Sequence, residues 1–128
     1  VWKAWTDPEH LMRWWGPRGF KTLVSAMDVR PGGGWRFCMR SPDGRDDWQQ
    51  GVYREIVEPE RLVFSYALED AAGKPGHETL VTVTFADEGA KTRITLHHGV
   101  FETVVVRNDH VRGWGEALDR LAEYAPNA

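Results

Sequence analysis

Side chains able to do acid–base, nucleophilic or metal chemistry are present in this chain, but their spacing does not pair them. A nucleophilic triad needs a nucleophile, a histidine and an orienting acid, and no serine sits in a strained elbow of the G-x-S-x-G kind. Cys38, the single cysteine, shares strand parity with Arg36 and Arg40, whose charges would favour a thiolate; a buried, inert thiol is the alternative. His97 and His98 are adjacent on a strand and point to opposite faces, so that pair cannot chelate one metal. Nothing in the spacing of His77, Asp109 and His110 demands that they join them. Asp46 and Asp47 also alternate faces, which argues against an acid/base dyad. Glu58 and Glu60 flank a turn proline and read as solvated, while Arg13, Arg18 and Lys21 make at most a local basic patch. No catalytic residue, metal ligand or cofactor is assigned. One histidine stands out. His98 shares the apolar face of its strand, where a polar group needs a partner. A neighbouring hydroxyl or carbonyl would make it structural; a ligand acid or a bound water would make it functional.

Composition narrows the function classes. The chain has 128 residues and a formal net charge of −3, with acids and bases mixed along its length. One domain of this length buries about two-thirds of the surface that its unfolded chain exposes. A grip on nucleic acid or an anionic membrane needs a basic stripe, and none is visible. A lone cysteine allows neither an intramolecular disulfide nor a multi-cysteine zinc site. No apolar run reaches membrane-spanning length and no signal peptide is present, which makes the cytoplasm the default location. Val1 is not an initiator methionine, and Val1, Trp2 and Trp5 read as one face of a helix in progress. The expectation is a chain that starts inside its first helix, with an upstream segment lost or omitted.

Capping and periodicity define the elements that must position these side chains. Thr6-Asp7-Pro8-Glu9 is a helix start: Asp7 can cap the free amides, Pro8 suits the first helical position, and Glu9 meets the positive end of the dipole. That helix is predicted from Pro8 to about Trp15, with Leu11, Trp14 and Trp15 buried, and Gly16-Pro17 stops it. Six strands follow, over Thr22–Arg30, Trp35–Ser41, Asp47–Val57, Arg61–Leu68, Glu78–Ala86 and Thr92–His98. Their short Gly-, Pro- and Asp-rich turns imply an antiparallel meander, and Glu69 to Gly76 reads as an exposed loop. Alternation places Val81, Val83 and Phe85 on one face, likewise Ile94, Leu96 and His98, and Trp35, Phe37 and Met39.

That apolar face needs a cover. A C-terminal helix supplies it through the stripe Val111, Trp114, Leu118, Leu121 and Ala125, with Glu116 and Arg120 on the wet side at i,i+4 spacing. Either Thr103 or Asn108 caps its start, since Val104-Val105-Val106 is a β-branched run and a weak helix opening. Gly113 and Gly115 flank Trp114 and each costs about 1 kcal/mol relative to alanine. Such a cost points to close backbone approach or to a need for flexibility.

Several segments resemble the hallmarks of a known family: Trp5-Thr6-Asp7-Pro8-Glu9, Trp14-Trp15-Gly16-Pro17, Arg30-Pro31-Gly32-Gly33, Gly51-Val52-Tyr53-Arg54-Glu55-Ile56, Pro59-Glu60-Arg61-Leu62-Val63-Phe64, and Gly113-Trp114 through Leu121-Ala122. The family is named for homology to the activator of the heat-shock chaperone ATPase. It lies in the START-like (SRPBCC) superfamily of lipid-transfer domains, polyketide cyclases and birch-pollen-allergen-like proteins. The resemblance covers essentially the whole chain. It implies an α+β helix-grip fold, in which a curved antiparallel sheet wraps around a long C-terminal helix, with two short helices near the N-terminus. It also implies a cavity between sheet and helix, where superfamily members hold lipids, hormones or polyketides and a few do chemistry. The family normally opens with a strand before the first short helix. The single domain, residues 1–128, is therefore expected to lack that strand and to leave one sheet edge unpaired.

On this reading the chain binds a hydrophobic or aromatic small molecule, with Trp14, Trp35, Phe37, Met39, Tyr53, Phe64, His98, Trp114 and Leu118 as ligand-binding residues. Apolar burial would supply the affinity, while His98, Tyr53 and Trp114 would set orientation. Plain packing is the alternative for each aromatic, and periodicity does not settle whether Tyr53, Phe64 and Tyr66 face inward. Trp14 and Trp15 are expected to seal one end of the container, and Trp48 to sit at a cavity mouth or an interface. Two other functions remain open. A cyclase- or dehydratase-like enzyme would use His98 as general acid or base on a bound ketone. An interaction module, which the chaperone-activator name suggests, would expose an apolar patch around Trp48 and the 69–76 loop. The expected partners are thus a hydrophobic small molecule first and a chaperone with weaker support. A homodimer is compatible with the tryptophan content, and neither nucleic acid nor membrane insertion is expected.

Overall fold

The computed structural model describes residues 2–70, 72–89, 91–99 and 104–124, with the backbone alone at 25, 91, 104–110 and 112. Its elements are α1 (Trp2–Thr6), α2 (Pro8–Leu11), β1 (Lys21–Met27), β2 (Gly34–Arg40), β3 (Asp46–Val57), β4 (Arg61–Leu68), β5 (Thr79–Glu88), β6 (Lys91–Gly99) and α3 (Val104–Tyr124). The strands form one six-stranded sheet in sequence order, antiparallel throughout. Short turns leave no other route, and the predicted meander is the observed one. Bulges between Val24 and Ala26 and between Tyr53 and Glu55 shift the register, and such bulges bend a sheet. The curled sheet with its C-terminal helix and short N-terminal helices is the helix-grip architecture that the resemblance implied.

Two strand-end differences from the sequence reading have local causes. β1 stops at Met27 rather than Arg30 because the Asp28 N–H donates to the Gly34 carbonyl and the Gly33 N–H to the Arg30 carbonyl, folding 28–33 into a tight loop. A Cβ at Gly33 would lie 2.0 Å from the Asp28 carbonyl oxygen, so that loop closes only over glycine. At the other end, β5 and β6 extend by a residue or two beyond their predicted limits, as their ladder runs on to Glu88 and Lys91.

The inner face is aromatic. Trp35, Phe37, Tyr53, Leu62, Phe64, Tyr66, Val81, Val83 and Phe85 are buried there, which places Tyr53, Phe64 and Tyr66 inward. Trp5 lies at the centre, with its ring 4.6 Å from that of Trp14 and stacked 6.2 Å from Trp114.

α2 keeps its predicted cap, with the Asp7 carboxylate accepting from the Glu9 N–H at 3.0 Å, but it ends at Leu11 rather than Trp15. Distant partners claim the two tryptophans beyond it. The Trp14 indole N–H donates to the Ala4 carbonyl at 2.8 Å and the Trp15 indole N–H to Gln49 Oε1 at 3.0 Å.

α3 starts at Val104, so Asn108 lies a full turn inside it and is not its cap. Val1, Thr103 and Ala125 lie outside the described residues. The stripe that faces the core is Trp114, Ala117, Leu118, Leu121 and Tyr124. Val111 is 64% exposed, because Ala117 and Tyr124 rotate the buried face away from it. Arg120 corrects a second expectation. Its guanidinium is not paired with Glu116 on the wet side but donates to the carbonyls of Trp15, Gly16 and Pro17 at 2.9–3.2 Å and of Arg13 at 3.2 Å. These carbonyls belong to the irregular segment that follows α2, and one guanidinium gathers them. With Arg18 bridged to Glu123, it fastens α3 to the segment after α2. Gly113 and Gly115 mark no close approach: a Cβ would meet only Pro17 Cγ at 3.8 Å in the first case and nothing within 4 Å in the second.

Candidate functional site

Between the middle of α3, the segment from Trp15 to Phe20 and the inner face of β2–β4 lies a cavity of about 460 Å³, a volume typical of small-molecule sites. α3 contributes Gly113, Trp114, Glu116 and Ala117; the segment after α2 contributes Trp15, Gly16, Pro17 and Phe20; the strands contribute Met39, Asp47, Gln49, Tyr66 and Leu68, with Arg45 from the β2–β3 turn. Gln49 and Tyr66 are buried and form the floor, whereas Arg45 and Leu68 are exposed at the rim.

The floor is a fixed hydrogen-bond relay. An indole N–H can only donate, so the Trp15 contact orients Gln49 with Oε1 toward the ring. The Gln49 amide nitrogen then donates to the Tyr66 hydroxyl at 2.7 Å and lies 3.5 Å from Met39 Sδ. Burial pushes the Tyr66 phenol above its ordinary range, and the Asp47 charge acts in the same direction. The ring therefore stays neutral.

Trp114 joins the cavity to a second relay. Its indole N–H donates to His98 Nδ1 at 2.9 Å, which requires that nitrogen to be unprotonated. His98 Nε2 then carries the hydrogen toward Thr79 Oγ1 at 2.6 Å, and the Thr79 hydroxyl donates to the Tyr66 carbonyl at 2.8 Å. The partner that a histidine on the apolar face needs is thus supplied from within the protein.

A family model described as "Activator of Hsp90 ATPase homolog 1-like protein" matches residues 1–125. The chain belongs to this family. Solved structures agree in fold. A protein from Chromobacterium violaceum is 26% identical with a TM-score of 0.84, covering 95% of this chain and 84% of that one. A solution structure from Arthrobacter aurescens is 27% identical with a TM-score of 0.85, covering 95% and 77%. A Silicibacter pomeroyi protein bearing the family's AHSA1 name is 24% identical with a TM-score of 0.88, covering 99% and 89%. Among curated proteins no sequence matches.

The nine residues expected around a ligand are divided by the structure of this AHSA1-family chain. Met39 and Trp114 line the cavity. Trp35, Phe37, Tyr53 and Phe64 pack with Trp5, Leu11, Trp15 and Leu62 around a void of only about 10 Å³, the space of a single water. Trp14 is fully buried beside Trp5, Leu118 packs on the core, and His98 stands behind Trp114. The side chains of Asp109 and His110, considered as companions for the histidines, lie outside the described residues. Trp48 is half-buried under the Arg36 guanidinium, 4.0 Å from the ring centroid, and is not part of the cavity. Asp46 pairs with Arg40, and Asp47 with Arg45, as their opposite parity requires. Burial raises the Cys38 thiol, and Asp46 adds to this against Arg40 and Arg36, which matches the inert reading. Among the described residues no helix is long and apolar enough to cross a membrane and no group of three metal-ligating side chains forms.

The floor residue that sequence reasoning missed is Gln49. It shares parity with Tyr53, but periodicity does not fix which face of that strand is inward; burial of both side chains in the structure does.

Proposed function

We propose that this AHSA1-family protein binds a hydrophobic or aromatic small molecule between α3 and the sheet. The observation that supports this is the cavity of about 460 Å³, walled by Trp15, Phe20, Met39, Leu68 and Trp114 over the oriented Gln49–Tyr66 floor. Large apolar walls with a few fixed polar groups suit binding followed by orientation. In this reading Met39 and Trp114 touch the guest, and His98 positions the Trp114 ring. The aromatic cluster of Trp14, Trp35, Phe37, Tyr53 and Phe64 makes the wall rigid.

Gly113 provides the test. A Cβ at this position meets only ordinary contact with Pro17, so Gly113→Phe builds its ring along the cavity without disturbing the backbone. Wild-type protein is expected to enhance Nile red fluorescence saturably and to release a bound organic molecule on denaturing extraction followed by mass spectrometry. Gly113→Phe should do neither while keeping its far-ultraviolet circular dichroism and its thermal midpoint. Undiminished Nile red binding by the folded variant would move the ligand site elsewhere.

A further inference from the structure

We propose that the guest of this cavity is a cation: an aromatic or alicyclic body bearing a protonated amine. This rests on the small-molecule reading of the same cavity and adds the charge of the guest.

The donors and acceptors on the wall point that way. Each neutral side-chain N–H donor on the wall is already committed inside the protein: Trp15 to Gln49 Oε1, Trp114 to His98 Nδ1, and the Gln49 amide to Tyr66. The cation on the wall, Arg45, is bonded to Asp47 at 3.3 Å. Neighbouring guanidinium groups are engaged as well, Arg18 with Glu123 and Arg120 with the carbonyls after α2. The acceptors are not matched in the same way. Two carboxylates, Asp47 and Glu116, line the cavity against one guanidinium. Glu116 is half-buried on α3 and has no hydrogen bond or ion pair among the described residues; the Arg18 charge, itself bridged to Glu123, acts on it from a distance.

A carboxylate guest would meet Glu116 with the neutral N–H donors of the wall engaged elsewhere and only the rim guanidinium of Arg45, which Asp47 already faces, to attract it. A neutral guest would leave Glu116 without a hydrogen-bonded partner among the described residues. Glu116, Trp15 and Trp114 line the same cavity, so a guest whose ring lies on the indoles can turn an ammonium group toward Glu116, and aromatic rings attract cations through their quadrupole. The aromatic walls and the surplus carboxylate therefore select the same kind of molecule.

Three probes with one ring system separate charge from hydrophobicity: 1-naphthylmethylamine, 1-naphthalenemethanol and 1-naphthaleneacetic acid, titrated calorimetrically at pH 7 and low salt. The expected order is amine, alcohol, acid, with the amine about tenfold tighter than the alcohol. Glu116→Gln should reduce that tenfold ratio to about threefold or less, and Glu116→Lys should make the acid bind more tightly than the amine. Glutamine and lysine are both good helix formers, so neither change breaks α3. Equal binding of amine and alcohol, or a ratio unmoved in Glu116→Gln, would overturn the assignment of charge and leave the cavity reading intact. Failure of all three probes to bind folded wild-type protein would overturn both.

Discussion

Replacing Trp114 by phenylalanine keeps an aromatic ring against Trp15 and Trp5 but deletes the N–H that donates to His98 Nδ1 at 2.9 Å. The net hydrogen bond is worth about 1 kcal/mol, and a partly buried acceptor left without its donor adds about 1 kcal/mol more. The smaller ring gives up roughly 40 Å² of apolar contact, another ~1 kcal/mol. Trp114→Phe should therefore cost about 2–3 kcal/mol. His98→Leu should cost about 1–2 kcal/mol, because it strands the same indole N–H and removes the neighbour of Thr79. If the two side chains act on each other as this geometry requires, the double variant should fall short of additivity by about 1 kcal/mol. The measurement is a double-mutant cycle from urea unfolding midpoints with a common slope, at pH 8, where an ordinary imidazole is neutral and Nδ1 can accept. A coupling below about 0.3 kcal/mol would refute the relay and return His98 to the set of residues open to acid–base work.

Three further outcomes follow from single contacts. Gly51→Ala would place its Cβ 1.9 Å from the Ser65 carbonyl oxygen and 2.6 Å from Trp35 Nε1. It should separate those hydrogen-bonded groups and cost more than about 3 kcal/mol, read as a collapse of the urea midpoint. Gly115→Ala meets nothing within 4 Å and should stabilise α3 by about 1 kcal/mol, read as a higher thermal midpoint. The Arg36 guanidinium, bonded to Glu69 at 2.7 and 2.8 Å, holds that carboxyl below its usual range, with Gln50 assisting and burial opposing. A depressed carboxyl stabilises the fold above its ordinary value near pH 4.3 and loses that contribution as the pH falls through the lower folded value. The stability gap between wild type and Glu69→Gln should thus be full at pH 7 and close toward pH 3 in urea titrations; a gap independent of pH would contradict this.

Much of the architecture was legible locally. Period-two alternation assigned Trp35, Phe37, Val81, Val83 and Phe85 to the buried face, and short turns of glycine, proline and aspartate permitted only a meander. The Asp7 cap was readable because its acceptor reaches an amide two residues away. These features depend on neighbours in the chain, so the chain reveals them.

What tertiary structure alone decided is where the space lies and which polar groups face it. Helical spacing put Arg120 beside Glu116, yet the carbonyls of Trp15, Gly16 and Pro17 offered it a better-defined site, leaving Glu116 to the cavity. Trp35, Phe37, Tyr53 and Phe64 have the composition of a ligand pocket, but their rings fill one another's space to within about 10 Å³. Facing direction is a property of one residue and its chain neighbours. Residual volume is a sum over side chains from the sheet, α3 and the segment after α2, and close packing leaves that sum near zero in one place and large in another.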